Sequence, residues 1–183
     1  MPIKSFVLPL FVCILAFPTT LQAGELWRIG TLDADYKELA LAGNHAEFIS
    51  RFNEGVEFAI GISNPANDWP FVHPGPADEW AGSRSHTFTI QFDLDRIPET
   101  ACRLLLALVS SQGAVPPVLA VTINGQVCDA VQIPHGAGDA ALTDAKAGRP
   151  LRQPVLFPSA WLAKGKNQIT IATRSGSWIL YDA

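Results

Sequence analysis

Residues 68–94 read DWPFVHPGPADEWAGSRSHTFTIQFDL, and the fold follows from how this stretch changes character halfway along. In its second half Phe88, Ile90, Phe92 and Leu94 alternate with Thr87, Thr89, Gln91 and Asp93. A period of two places the apolar set on one side of an extended chain, so this is a strand with one buried face. The first half is a loop held to one shape. Pro70, Pro74 and Pro76 fix φ and restrict the residues before them, while Gly75 and Gly82 permit turns. A stiff loop carrying two Trp, a Phe and a His leads straight into a strong strand, which predicts a rigid decorated rim.

Working outward, the same punctuation recurs. Residues 55–63 (GVEFAIGIS) read as a strand ended by Asn64-Pro65. Residues 103–110 (RLLLALVS) are nearly all apolar, as in a central strand covered on both faces. Residues 118–124 form another strand, and Asn124-Gly125 predicts a type I′ hairpin returning through residues 126–133. Residues 167–173 (NQITIAT) place Ile169, Ile171 and Thr173 on an inward row, and residues 177–181 begin a last strand. Helical signals are sparse. Residues 33–42 offer a short helix capped by Asp33 or Asp35, with a loop as the alternative. Residues 134–158 are rich in Gly, Ala and Pro, with one or two helical turns over 139–146. Many short strands with little amphipathic helix predict an all-β chain, an antiparallel β-sandwich.

The first 23 residues stand apart. Lys4 gives a positive start, residues 6–17 are an apolar run of 12, and Leu21-Gln22-Ala23 offers small-residue cleavage before Gly24. That is the pattern of a secretory signal peptide, cleaved after Ala23, and the run is too short for a span of about 20 residues. The expectation is therefore a secreted or periplasmic protein, with residues 24–183 as a single domain and no membrane association after leader removal. With Lys4 gone, the 13 basic side chains fall by one against 17 acidic ones, a net charge near −5. No cationic stripe is present, so nucleic acid is not an expected partner. A monomer is expected.

Cys102 and Cys128 remain after the leader. In an oxidising compartment they are candidates for one disulfide, closing a loop of about 26 residues worth roughly 3 kcal/mol; two buried free thiols are the alternative.

Little in the sequence assembles a reaction centre, and no catalytic residue is assigned. There is no Gly-x-Ser-x-Gly elbow, and the Ser83 to His86 neighbourhood is proximity in sequence, not a triad. His45, His73, His86 and His135 are isolated, with no zinc-ligand spacing. No cofactor is expected beyond a structural calcium, for which Asp33-x-Asp35 and Asp93-x-Asp95 supply the oxygen type. Asp68, Asp78 and Glu79 put three carboxylates in the stiff loop, but glycoside hydrolysis needs a spatial separation that sequence does not give. Sugar binding asks for less: an aromatic face against the C–H face of a pyranose, and fixed polar groups for the hydroxyls. Trp69, His73, Trp80 and Arg84 are the candidates. The alternative is structural, with Trp80 plugging one end of the sandwich and Trp69 packed under the prolines.

An ordered set of segments resembles the third, carbohydrate-binding-like domain of polysaccharide lyase family 4, the rhamnogalacturonan lyases. The set comprises Trp27-Arg28-Ile29-Gly30-Thr31 with Asp33, the loop with Trp80-Ala81-Gly82, the strand from Phe88 to Leu94, and Val121-Thr122-Ile123-Asn124-Gly125. Leu162-Ala163-Lys164-Gly165-Lys166-Asn167 and Ile179-Leu180-Tyr181-Asp182 complete it. The resemblance implies a jelly-roll, galactose-binding-like sandwich that contacts pectic or related polysaccharide without catalysing its cleavage, since the lyase chemistry belongs to an earlier domain. Two departures stand out. Asp144 lies where a basic side chain is expected, and the chain ends at Asp182-Ala183 where family members continue the strand, which reads either as a shortened C-terminus or as a brief last strand. The rival readings are a small lyase acting on rhamnogalacturonan-type glycans and a structural remnant that binds no sugar.

Overall fold

The structure, a computed structural model, describes residues 24–183; the predicted leader, 1–23, lies outside the described residues. In chain order the regular elements are α1 (Phe48–Phe52), β1 (Val56–Ala59), α2 (Pro65–Asp68), β2 (Val72–His73), β3 (Thr87–Leu94), β4 (Cys102–Ser111) and β5 (Val118–Ile123). They continue with β6 (Gln126–Val127), β7 (Val131–Gln132), β8 (Leu151–Phe157), β9 (Gly165–Ser175) and β10 (Ile179–Tyr181), with short 3-10 turns between. Among the described residues the strands make two sheets. One has the order β1-β3-β9-β5-β6, with β7 also on β5; the other has the order β2-β10-β4-β8. All pairings are antiparallel except β1 with β3. This is the all-β sandwich expected.

The two-residue period of β3 sets the larger sheet. Phe88, Ile90, Phe92 and Leu94 are all buried, and opposite them on β9 stand Ile171 for Phe88 and Ile169 for Ile90. On the other side of β9, Val121 faces Ile171 and Ile123 faces Ile169. Three strands thus carry one apolar row, whose burial is the main force closing the sandwich. The opposing sheet contributes Leu104, Leu106 and Leu108 of β4, Val155 and Phe157 of β8, and Ile179 and Tyr181 of β10, all buried. The Asn124-Gly125 turn has φ of 48° and 80°, positive at both positions as a type I′ turn requires. Asn124 Nδ2 donates to Trp161 O and to Asn167 Oδ1, fastening the hairpin tip to the turn before β9.

Three expectations need correction. Residues 33–42 form no helix. Asp33 Oδ1 accepts from Asp35 N, and Asp35 Oδ1 accepts from Tyr36 N and Lys37 N. These side chains satisfy the local amides in turns, the competition that disfavours Asp in helices. Asp182 Oδ1 accepts from Asp33 N and Ala34 N and fixes the segment to the end of β10. Next, β8 falls in the weakly patterned, Gly-, Ala- and Pro-rich stretch 134–158, where no strand is expected. Pro154 lies opposite Leu105 in this edge strand, where a missing N–H disrupts no second ladder. Finally, Cys102 and Cys128 are free thiols, not a disulfide. Cys102 begins β4 of one sheet, whereas Cys128 follows β6 of the other and donates its amide to Val121 O. Burial raises both thiol pKa values, which makes each a poor nucleophile.

The stiff loop is stapled to the turn between β9 and β10. Ala77 N donates to Gly176 O, and a methyl group on Gly75 would lie 2.4 Å from that same oxygen and 2.8 Å from Ser177 O. Both are backbone atoms and cannot swing aside. Gly75→Ala should therefore cost about 1–3 kcal/mol or more, read as a lower denaturant midpoint with an unchanged slope. An unchanged midpoint would mean that the two loops do not meet.

Candidate functional site

The loop that precedes β3 divides its aromatic side chains between interior and surface. Trp69 is 3% exposed. Its ring meets Phe88 edge-on at 5.1 Å, Phe58 edge-on at 5.8 Å and Tyr181 at 5.2 Å. His73 is fully buried on β2, stacked over Phe88 at 3.8 Å. Neither ring has a face to offer a sugar, so both candidates are corrected to core residues.

The buried histidine has one consistent proton arrangement. His73 Nε2 lies 2.9 Å from the carbonyl of His86, which can only accept, so Nε2 carries the proton. Nδ1 then accepts from the Tyr181 hydroxyl at 3.0 Å. His86, also buried, donates from Nε2 to Ala81 O at 2.9 Å and meets Phe48 edge-on. Burial drives the pKa of His73 down to about 3, and burial likewise lowers that of His86. Tyr181 is pushed upward by the same cause. The set is neutral and structural.

Arg84 is exposed, and its guanidinium donates to the backbone carbonyl and Oδ1 of Asn53, pinning the loop to the end of α1. It does not converge with the other candidates. Of the candidate rings Trp80 alone reaches the surface, half-buried, with its indole against His45 at 4.9 Å and Phe48 at 6.4 Å, both edge-on. The Nδ1 of His45 has no hydrogen-bond partner among the described residues.

Trp80 lines an open depression of about 280 Å³ together with Ala77, Asp78, Glu79, Gln112, Val115, Asp139, Ser177 and Trp178. Four parts of the chain meet there: the stiff loop, the segment after β4, the turn at 139–142 and the turn leading into β10. Asp78 holds the floor. It is 5% exposed; Oδ2 accepts from Gly75 N at 2.7 Å and Oδ1 accepts from the Ser177 hydroxyl. Burial raises its pKa, against the lowering effect of those two hydrogen bonds. Asp139 Oδ1 accepts from Gln112 Nε2 at 3.2 Å and Trp178 Nε1 at 3.3 Å. Gln112 Oε1 is taken by the amides of Ala114 and Val115. Glu79 and Asp139 are exposed, and among the described residues no side-chain hydrogen bond engages the Glu79 carboxylate or the second oxygen of Asp139. Glu79 and Asp78 were visible in the sequence as loop acids. Gln112, Asp139 and Ser177 carried no sequence signal, because only the fold brings them to Trp80.

A second depression of about 420 Å³ is lined by residues of 32–34, Leu108, 150–152 and Asp182. Of Asp33 and Asp35, offered as candidate calcium ligands, Asp33 lines this depression, and Asp35 pairs with Lys37. Asp93 and Asp95 are exposed. Among the described residues no group of three or more His, Cys, Asp or Glu side chains is arranged to hold a metal ion.

The architecture is that of a carbohydrate-binding-like β-sandwich. A family model described as "CBM-like: Polysaccharide lyase family 4, domain III" matches residues 25–183, and the chain belongs to that family. No curated protein matches it in sequence. Among solved structures, an exo-β-1,3-galactanase from Phanerochaete chrysosporium with β-1,3-galactotriose shares 18% identity at a TM-score of 0.33, covering 52% of this chain and 21% of that one. The insecticidal delta-endotoxin Cry8Ea1 from Bacillus thuringiensis shares 11% at 0.38, covering 60% and 22%. Latent PorU from Porphyromonas gingivalis shares 12% at 0.33, covering 52% and 9%. The chain spans about a fifth or less of the length of each.

The buried imidazole gives a pH prediction. An unfolded histidine takes up a proton near pH 6.5, whereas His73 in the fold resists until about pH 3. The unfolded state therefore binds the extra proton first. Stability is full above pH 6.5 and should fall by up to about 1.4 kcal/mol per pH unit between 6.5 and 3. Urea titrations across that range should give a shallower acid decline for His73→Gln than for the parent. Equal slopes would contradict a neutral, buried His73.

Proposed function

We propose that this protein is a non-catalytic carbohydrate-binding module, exported with residues 1–23 as its leader, that contacts a pectic or related polysaccharide as a monomer. Membership in the lyase accessory-domain family supports the class. The observation that carries the reading is the depression at Trp80, where a surface indole stands beside Glu79 and Asp139 on a rim held rigid by Asp78. An indole supplies an apolar face to a sugar ring, and carboxylate oxygens accept from its hydroxyls. A rim already fixed by the fold loses little conformational entropy when a ligand arrives.

The arrangement is poorly suited to elimination. That reaction needs a base for the proton beside a uronate and a cation for the charge that develops. Among the described residues no Lys, Arg or His lines the depression, and the nearest imidazole, His45, stands behind the Trp80 indole.

The reading is tested by titrating the mature protein with pectic and hemicellulosic oligosaccharides while following tryptophan fluorescence. Saturable binding is expected for the parent. Trp80→Ala should weaken it about five- to thirtyfold, taking an aromatic stacking contact at roughly 1–2 kcal/mol, and Arg84→Ala should leave it unchanged. Binding that survives Trp80→Ala would move the site elsewhere. Release of an ultraviolet-absorbing unsaturated product would replace the binding module with a lyase.

A further inference from the structure

We propose that the Trp80 depression selects uncharged glycan and rejects free uronate, so that within pectic material it takes neutral or esterified residues and not the acidic backbone. This rests on the binding reading above and narrows it to a substrate class.

The first ground is charge. Three carboxylates, those of Asp78, Glu79 and Asp139, line the site, and among its described lining residues there is no lysine or arginine. Arg84, the cation nearest in sequence, is drawn away by Asn53. Asp78 is buried and its own charge is opposed by desolvation, so a further carboxylate brought beside it would add to an existing penalty. The remaining two face solvent, where like charges a few ångströms apart still repel measurably in low salt.

The second ground is hydrogen-bond polarity, independent of net charge. On the depression's wall the unfilled capacity is mostly for accepting. Asp139 uses one oxygen on Gln112 and Trp178 and keeps the other free, and Glu79 has no side-chain partner among the described residues. The Gln112 oxygen, which also accepts, is consumed by two backbone amides. The side-chain donors that remain are neutral: the Trp80 indole N–H and the second hydrogen of the Gln112 amide. A sugar hydroxyl can donate into such a site, whereas an ionised carboxylate only accepts. Uronate would therefore leave the free acceptors unmatched, find only those two neutral donors, and carry its charge with no lysine or arginine beside it.

The discriminating pair is an oligogalacturonate and the same oligomer fully methyl-esterified, because esterification removes the charge and keeps the backbone. A neutral galactan oligosaccharide is run beside them, with binding to the mature protein measured calorimetrically at low and high salt. The ester should bind at least about tenfold more tightly than the free acid at low salt, on the order expected for one close like-charge contact. The gap should narrow in Glu79→Gln and on adding salt, and the binding should depend on Trp80. Equal or tighter Trp80-dependent binding of the free acid would overturn the charge selection and leave the binding module standing. Failure of all three ligands, with saturable binding elsewhere on the wider pectic and hemicellulosic panel, would overturn this inference alone; failure across the whole panel would end the binding-module reading as well.

Discussion

Phe88 is the point on which the domain turns. His73 stacks on one of its faces at 3.8 Å, Trp69 meets it edge-on at 5.1 Å, and Tyr181 packs at 5.8 Å. Phe88 belongs to the larger sheet, whereas His73 and Tyr181 belong to the smaller one, so this cluster is where the two sheets are joined. A histidine in that position is tolerable only because both ring nitrogens are matched, one to the His86 carbonyl and one to the Tyr181 hydroxyl. Unmatched, either group would cost about 1–3 kcal/mol.

That cluster decides what reaches the surface. With Trp69 and His73 committed to the interior, the chain between them and β3 has fixed ends only 13 residues apart, at His73 and His86. Asp78 then organises the intervening turn by accepting from Gly75 and Ser177. Its buried carboxylate is retained because hydrogen bonds to a charged acceptor are strong enough to offset part of the desolvation. The outcome is that Trp80 is presented at the rim, backed by His45 and Phe48, with Glu79 beside it.

The sequence revealed the parts whose structure is local. The alternation in β3, the Asn-Gly hairpin and the inward row of Ile169, Ile171 and Thr173 each follow from neighbours a few residues away, and each is present. It hid what depends on distant partners. β8 carries Pro154 and an exposed Leu156, which look like loop residues until β4 is known to lie on one side only. Residues 33–42 have helix-capping acids, yet these bond their own turn and the segment is held by Asp182 some 149 positions away. The site divides in the same way. Aromatic residues in a proline-rich loop are conspicuous, but composition does not distinguish Trp69, whose ring is under β1 and β10, from Trp80, whose ring is not. Asp139 and Gln112 enter only through the packing of the 139–142 turn against Trp178.

The account depends most on His73 being a neutral, Nε2-protonated ring sealed between the sheets. Nitrogen NMR of the mature protein labelled at histidine, followed as pH is lowered, tests that directly. The imidazole assigned to position 73 should be locked in the Nε2–H tautomer, with shifts that do not move through pH 6.5 and change only when the fold is lost. An imidazole at position 73 that titrates near pH 6.5 would contradict it, and would return that side chain to the surface of the loop.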